Sequence, residues 1–558
     1  MSVPGDAAAH EPSPRSVGDV LAAFLEQAGV EVAFGVLSVH NMPLLDAFAR
    51  RGSMRYVCAR GEAGTVNMAD AYARVSGRPG VAFTSTGAGA GNAAGALLEA
   101  LTAGTPLLHV TGQIETAYLD RNWGDVHEAK DQLALLGAVS KAALRVRSAD
   151  TALATFREAW RLACTAPAGP VSVEVPIDLQ GAALSAWPDA SALRPLPVVA
   201  PVPDAASIDR LAERLRGARR PMIWAGGGAR HAGAAIGRLL ELGFGLVTSI
   251  QGRGVVDERD PRSLGAFNMQ PGVEAFYQTC DAMLVVGSRL RVPETARHTL
   301  ALPRPLYRID ADPLADGRGY RSDLFVAGDA ALALDALADR LAGRTAIDPA
   351  LQAGIADTRR RAGARMREAL LGRWAALVDA LEAAAPDCNW VRDVTISNGT
   401  WGSRLFRVAG PQRVAHAAGG GIGQGLSMGI GAAIGAPQRP TLALVGDGGL
   451  MLNAAELPTA VQEACGLVLL VMNDRGYGIL RNLADAQFGG RRLYSDLHTP
   501  DFGLLARAHG WRFHRIETLE GVGERLRGIV ADPGAATLVE FDMDAIGPFA
   551  QPFSGPKI

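Results

Sequence analysis

The sequence predicts an α/β protein of three domains, each a mostly parallel sheet flanked by helices, and three observations carry that expectation. The chain has 558 residues, too many for one hydrophobic core, and three domains of about 180 residues fall in the usual size range. Short apolar runs that end in glycine-rich turns and lead into helix-like segments recur along the whole length, which is the rhythm of βαβ units. Two stretches break that rhythm: proline-rich Pro188–Pro203, read as an extended linker, and alanine- and arginine-rich Leu341–Glu382, read as a helical connection. The domains are accordingly placed at residues 1–186, 204–340 and 383–558.

In the first domain Val17–Ala28 has the spacing of an amphipathic helix, and Val32–Val36 reads as a strand. The segment Leu37–Leu45, which holds His40, turns into a second helix. Arg55–Ala59 is a strand that delivers Arg60-Gly61-Glu62-Ala63-Gly64 to the start of a helix through Asn67–Val75. Val81–Thr84 follows, with a glycine-rich loop at 87–92, and Leu107–Val110 and Val171–Val175 continue the pattern. From its neighbours alone, Glu62 is a favourable charge at a helix start, worth about a few tenths of a kcal/mol. His40 is either a proton-relaying group or a satisfied loop residue. Gln113, after the fourth strand, is either a donor to a bound carbonyl or a backbone-bonded amide. His109 lies inside an apolar strand and reads as a core or subunit-contact residue, while His127 sits in a polar stretch.

Beyond the linker, Pro221–Gly228 is a strand with a glycine loop, and Phe244–Thr248, Ala282–Val286 and Leu306–Ile309 continue what reads as a six-stranded α/β domain. The third domain opens with Trp390–Thr395 and the polar turn Ser397-Asn398-Gly399-Thr400-Trp401. Then comes Ala417–Gly429, whose glycines surround Gln424 and Leu426 and permit close backbone approach to a flat ring. By spacing, Leu426 is a helix-face core residue.

The most informative stretch is residues 441–480. Thr441–Val445 is a buried strand running into Gly446-Asp447-Gly448-Gly449, and Leu467–Met472 is a second, ending in Asn473-Asp474-Arg475-Gly476. In a parallel βαβ unit both polar tips lie at the carboxyl edge of one sheet, so Asp447 and Asp474 can meet. Two carboxylates there need a cation, and oxygen ligands favour Mg²⁺ or Ca²⁺ over zinc. Residues 449–453 would present free N–H groups to a phosphate where a helix begins. Nearby, Arg475, Arg481, Arg491 and Arg492 form a basic group suited to a carboxylate or phosphate, or simply a solvated loop.

A GDG motif, roughly 25 intervening residues and an N-[ND]-x-x-Y-G tail resemble the metal–diphosphate signature of thiamine-diphosphate enzymes, in the branch of acetolactate synthase, benzoylformate decarboxylase and pyruvate decarboxylase. The resemblance implies thiamine diphosphate and Mg²⁺ as cofactors. Asp447 and Asp474 would give side-chain oxygens to the metal and Gly476 its carbonyl; the family's usual residue at 474 is Asn. Glu62 would bond N1′ of the aminopyrimidine, Leu426 would wedge the cofactor's two rings into a V, and Ser397, Asn398, Gln424, Gly448, Gly449 and Tyr477 would line the cofactor. The cofactor would lie between subunits of a homodimer or homotetramer. His40 and Gln113 enter as candidate catalytic residues beside the substrate, a small 2-oxo acid.

Departures from pyruvate decarboxylase point toward the synthases. Val39 stands where that enzyme carries an aspartate, Thr111-Gly112-Gln113 replaces a His-His pair, and Leu480 replaces a proton-transferring glutamate. The expected reaction is therefore decarboxylation of a 2-oxo acid followed by carboligation to an acceptor carbonyl. The alternatives are a simple decarboxylase or C–C-cleaving lyase or hydrolase with His40 as proton shuttle, and, in another class, a non-catalytic relative. The synthases imply FAD in the central domain; the decarboxylases imply none.

Composition narrows the partners. A formal net charge of -2 offers nucleic acid or an anionic membrane no electrostatic attraction. The 66 glycines show no collagen period. Cys58, Cys164, Cys280, Cys388 and Cys465 lack metal or C-x-x-C spacing and read as thiols in a reducing compartment. The opening residues MSVPGDAAAHEPSPRS lack the pattern of a signal peptide, and no apolar run reaches the roughly 20 residues of a membrane span. A cytoplasmic location is expected.

Overall fold

The computed structural model describes residues 15–492, 494–532 and 534–553. The first 14 residues, on which the signal-peptide reading rests, and the last five lie outside the described residues. Three parallel sheets follow one another along the chain, as the alternation of apolar runs and helices requires.

The N-terminal sheet holds β1 (Val32–Gly35), β2 (Arg55–Cys58), β3 (Gly80–Thr84), β4 (Leu107–Gln113), β5 (Ala142–Arg145) and β6 (Pro170–Pro176), in the order β2-β1-β3-β4-β6-β5. The central sheet holds β7 (Pro221–Ala225), β8 (Gly245–Thr248), β9 (Ala282–Val286), β10 (Leu306–Asp310) and β11 (Leu324–Ala327), in the order β11-β10-β9-β7-β8. It has five strands rather than the six expected. The C-terminal sheet holds β12 (Asn389–Arg392), β13 (Val414–His416), β14 (Thr441–Gly446), β15 (Leu467–Asn473), β16 (Arg512–Ile516) and β17 (Thr537–Asp542), in the order β13-β12-β14-β15-β17-β16. Its middle strands β14 and β15 pair in parallel from Thr441↔Leu467 to Gly446↔Met472, which sets the two acidic tips side by side. Both are buried almost throughout, so they read as continuous apolar runs instead of alternating ones.

The first and third domains pack through the helices Glu62–Ser76 and Gly425–Gly435. Gly431 lies so close to Met68 that a Cβ there would collide with the Met68 carbonyl, and Gly435 lies against Tyr72 and Val75. Leu426, Met428 and Ile430 share one apolar cluster with Val66, Met68 and Tyr72 across this contact. Two expected loops are helical: Ala88–Ala103 begins inside the glycine-rich stretch, and Asp447–Leu452 begins at Asp447 itself. The tail folds back, with Phe553 against Gly399 and its carbonyl accepting a bond from Asn482 at 3.1 Å. Among the described residues, no helix is long and apolar enough to cross a membrane.

Candidate cofactor and active site

Four loops meet at the carboxyl edge of the C-terminal sheet. Asp447, 1 % exposed, follows β14 and begins a helix, so the Gly448 and Gly476 N–H groups point at its carboxylate. Asp474 follows β15 and faces it. Burial, then the charge of Asp474, pushes the Asp447 carboxyl up to about 7. Burial also raises Asp474, against the pull of Arg481 3.3 Å away. Tyr477 packs on Gly448, and Gly476 forms a backbone bridge with Asp496. These residues come together as the strand pairing required.

The glycine loop 419–425 is held by acidic groups that sequence reasoning missed. Asp393, after β12, accepts N–H bonds from Gly423 at 2.9 Å and Gly425 at 3.2 Å, and its carboxyl is pushed up to about 6 by burial despite them. From the first domain, Glu99 accepts the N–H groups of Gly419 and, at 2.7 Å, Gly421. A glutamate amid the apolar residues Leu97, Leu98 and Ala100 was the available signal.

This edge carries an unusual set of unsatisfied atoms. Ser397 Oγ, Gln424 Oε1, Ser427 Oγ and Asp447 Oδ2 are all buried without a hydrogen-bond partner, whereas buried polar atoms are normally paired. A free carboxylate oxygen calls for a cation and the others for a polar group, so these residues fit a diphosphate with its metal. Among the described residues no group of three or more His, Cys, Asp or Glu gathers as a metal site. The Asp447–Asp474 pair supplies two carboxylates.

Other expected ligands are differently engaged. Asn398 Oδ1 accepts from Arg392 at 3.1 Å and Ser403 at 2.6 Å, which ties its side chain to the sheet. Leu426, 1 % exposed, lies in the apolar cluster between domains. Gln113 ends β4 and is a bonded amide. Its Nε2 donates to the buried Glu174 at 3.1 Å and its Oε1 accepts from Ile114 at 2.8 Å, because Glu174 also gathers Gln132 and Arg145. His109 is a core residue, bonded to Thr84 at 2.8 Å and Ser172 at 2.9 Å.

At the carboxyl edge of the N-terminal sheet, Glu62 opens its helix after β2, bonded to Asn92 at 3.2 Å. Its Oε1 sits over Gly89, where a Cβ would come within 2.7 Å. Glu456 of the third domain accepts the Arg60 and Gly61 N–H groups, both at 3.0 Å, and so fixes the loop that carries Glu62. Among the described residues no hydrogen bond or ion pair joins Glu62 to the Asp447 group. After neighbouring β1, His40 meets the ring of His127, centroids 5.1 Å apart and planes at 76°. His127 has φ 67° and His40 is anchored by a bond from Gln180 to its carbonyl at 2.6 Å. Both backbones press on glycines, His127 on Gly87 and His40 on Gly112. Burial, then His127, lowers the His40 pKa against the pull of Asp125.

A cavity of about 600 Å³ opens beside Asp474, lined by the helix Gly478–Gln487 and the tail residues 543–552. Asp474, Asp485, Asp496 and Asp544 line it with Arg481 and Arg492. The expected basic group is therefore mostly ion-paired: Arg475 with Asp542 and Asp544, Arg481 with Asp474 and Asp496, and Arg492 with Asp485 at 3.4 Å.

The three sheets and this paired edge define a cofactor-dependent α/β enzyme whose ligand sits at strand ends. Family models agree throughout: the thiamine pyrophosphate enzyme N-terminal TPP binding domain matches residues 15–135, the central domain 208–337 and the C-terminal TPP binding domain 396–541. The chain belongs to the thiamine pyrophosphate enzymes, in the branch of the acetolactate synthases and 2-oxo acid decarboxylases. It is 34 % identical to a probable 2-ketoarginine decarboxylase of Pseudomonas aeruginosa, over 94 % of this chain and 93 % of that one. It is 26 % identical to a probable acetolactate synthase large subunit of Methanocaldococcus jannaschii (90 % and 88 % covered) and to the chloroplastic acetolactate synthase of Arabidopsis thaliana (93 % and 80 %).

Proposed function

We propose that this enzyme decarboxylates a 2-oxo acid and releases the aldehyde, with thiamine diphosphate and Mg²⁺. The observation that carries the reading is the His40–His127 pair at the same sheet edge as Glu62. The case for carboligation rested on Gln113, on the missing His-His pair after the fourth strand and on Leu480, which cannot move a proton. Two imidazoles in contact offer the missing donor from the other domain, and the relative at 34 % identity is named as a decarboxylase. The bound thiazolium supplies the electron sink for loss of CO₂. Asp447, Asp474 and Gly476 would hold the metal, Ser397, Gln424, Gly448, Gly449 and Tyr477 the cofactor's polar end, and Glu62 the pyrimidine. Leu426 would support its rings from below.

Glu62 and the Asp447 group are unlinked within one chain, which supports a homodimer or homotetramer with the cofactor between subunits. The name of the relative at 34 % identity supports a substrate bearing a cationic side chain. A cytoplasmic location fits five free thiols, and the decarboxylase reading carries no FAD.

The test is CO₂ release and product mass from purified protein with thiamine diphosphate and Mg²⁺. Pyruvate, benzoylformate and 2-oxo-5-guanidinopentanoate are each supplied with and without an acceptor aldehyde. Free aldehyde, strongest from the guanidino acid, is expected. A ligated product from any donor would return the enzyme to the synthase side, as would the visible absorbance of a bound flavin.

A further inference from the structure

A second cavity, about 460 Å³, lies away from the cofactor edge, where the central domain, the helical connection and the C-terminal domain meet. Its wall is made by Arg259, Arg359, Arg360, Arg367, Arg404 and Arg407, with no acidic residue among the lining side chains. Like charges at close range repel, so six guanidinium groups around one cavity need counter-charge.

Four of the six answer to carboxylates outside the wall: Arg259 to Asp257 at 3.3 Å, Arg360 to Asp357, Arg367 to Asp379 at 2.7 Å and Arg407 to Glu382 at 2.6 Å. The other two do not. Arg359 is held by the backbone carbonyls of Asp260 and Ser263, both at 3.1 Å, and of Glu258. Arg404 has a buried Nε with no partner, and among the described residues its side chain makes no ion pair, the charge of buried Glu294 acting on it only from beyond contact. Burying an unpaired guanidinium is costly, and the usual remedy is an anion. The guanidinium fork matches phosphate oxygens two at a time. Phe267, Pro261 and Leu405 add an apolar side to the same cavity.

We infer that this cavity binds a polyphosphate anion, its phosphates on Arg404 and on the exposed Arg360, which exchanges Asp357 for the anion, and that the anion ties the central domain to the C-terminal one. The site is independent of the reaction proposed above. Its segments are 259–267 of the central domain, the helix Ala350–Arg365 and residues 404–407. A bound anion therefore bridges three parts of the chain, and only the folded arrangement holds them together.

The experiment is titration calorimetry on the holoenzyme, saturated with thiamine diphosphate and excess Mg²⁺ so that the cofactor site cannot take the probe. The probes are ATP, inorganic tripolyphosphate and citrate at constant ionic strength. Saturable binding of ATP or tripolyphosphate is expected, with citrate at least about tenfold weaker, and about tenfold loss of affinity in both Arg404→Gln and Arg360→Gln. Arg360 is 73 % exposed, so its variant keeps the fold if Arg404→Gln does not. ATP binding tighter than tripolyphosphate places a base on the Phe267 side; equal binding means the phosphates alone are read, and both support the site. Absence of saturable binding, binding unchanged in both variants, or citrate binding as tightly as tripolyphosphate would overturn it.

Discussion

Asp447 and Asp474 face each other from the ends of adjacent parallel strands, and after burial the charge of Asp474 is what lifts the Asp447 carboxyl to about 7. A pair that resists double ionisation becomes stable as a doubly charged site when a divalent cation is shared. Asp447→Asn should therefore have opposite effects on the two forms of the protein. With chelator present its melting temperature should match or exceed the parent's by about 2–4 °C, as a buried like-charge contact is removed. With thiamine diphosphate and Mg²⁺ the parent should rise well above the variant. Asp474→Asn, the family's usual residue there, should keep the Mg²⁺-dependent rise. Paired melts decide it: an equal cofactor-induced rise in Asp447→Asn would remove this residue from the proposed metal site.

Glu62 is held in place by both domains, through Asn92 on one side and the Glu456-clamped loop on the other. Glu62→Gln preserves the bond to Asn92 and removes the carboxylate. Turnover should fall by about 10²–10⁴-fold, the range for loss of a positioned acid–base group, with cofactor affinity little changed. Steady-state rates and a cofactor titration followed by intrinsic fluorescence check both halves. Glu456→Gln should also lower kcat, by the smaller factor of a displaced loop, and should cost about 1–3 kcal/mol of stability as a buried acceptor set is disturbed.

What the sequence makes legible is what neighbours in the chain decide. The strand before Gly446-Asp447-Gly448 and the strand before Asn473-Asp474 are written in short apolar runs and turn residues, so the acidic edge follows from local pattern plus parallel pairing. The groups that organise that edge were hidden because their partners are remote. Glu99 bonds Gly419 from 320 residues away, and Glu456 bonds Arg60 from 396. Gln113 reads as a loop amide because nothing nearby announces Glu174, 61 residues on, which accepts a bond from its carboxamide. His127 meets His40 only because a long loop returns through a left-handed turn.

Acid should destabilise the protein through its buried histidines. His109, wholly enclosed between Thr84 and Ser172, has its pKa pushed down to about 3 by burial, and burial beside Arg392 and Arg74 lowers His416 as well. The unfolded chain takes up protons near the ordinary histidine value of about 6.5 while the native one does not. Stability is thus present above that pH and is lost as pH falls toward 3. Each such histidine removes up to about 1.4 kcal/mol per pH unit in that window. Denaturant midpoints measured between about pH 7.5 and 5 should fall. In His109→Gln, which keeps a polar group between the two hydroxyls, the slope should be shallower by about one proton. An unchanged slope would mean that His109 is solvated.

Two glycines separate packing from helix propensity. Gly431 and Gly528 both lie inside helices, Gly425–Gly435 and Val522–Val530. Propensity alone favours alanine at each by about 1 kcal/mol. Around Gly528 a Cβ would find nothing within 4 Å, so Gly528→Ala should raise stability by about that amount. At Gly431 the same methyl would run into the Met68 carbonyl, which is backbone of the facing helix and cannot swing aside as a side chain can. Gly431→Ala must therefore push apart the two helices that join the first and third domains, a cost of about 1–3 kcal/mol or more that outweighs propensity. Because the facing helix begins at Glu62, the displacement should also reach that proposed cofactor-binding residue, and Gly431→Ala should lose turnover while Gly528→Ala does not. Thermal melts and rates on the two variants test both statements. A Gly431→Ala protein as stable and active as the parent would mean that the interdomain contact is looser than the Met68–Gly431 approach requires.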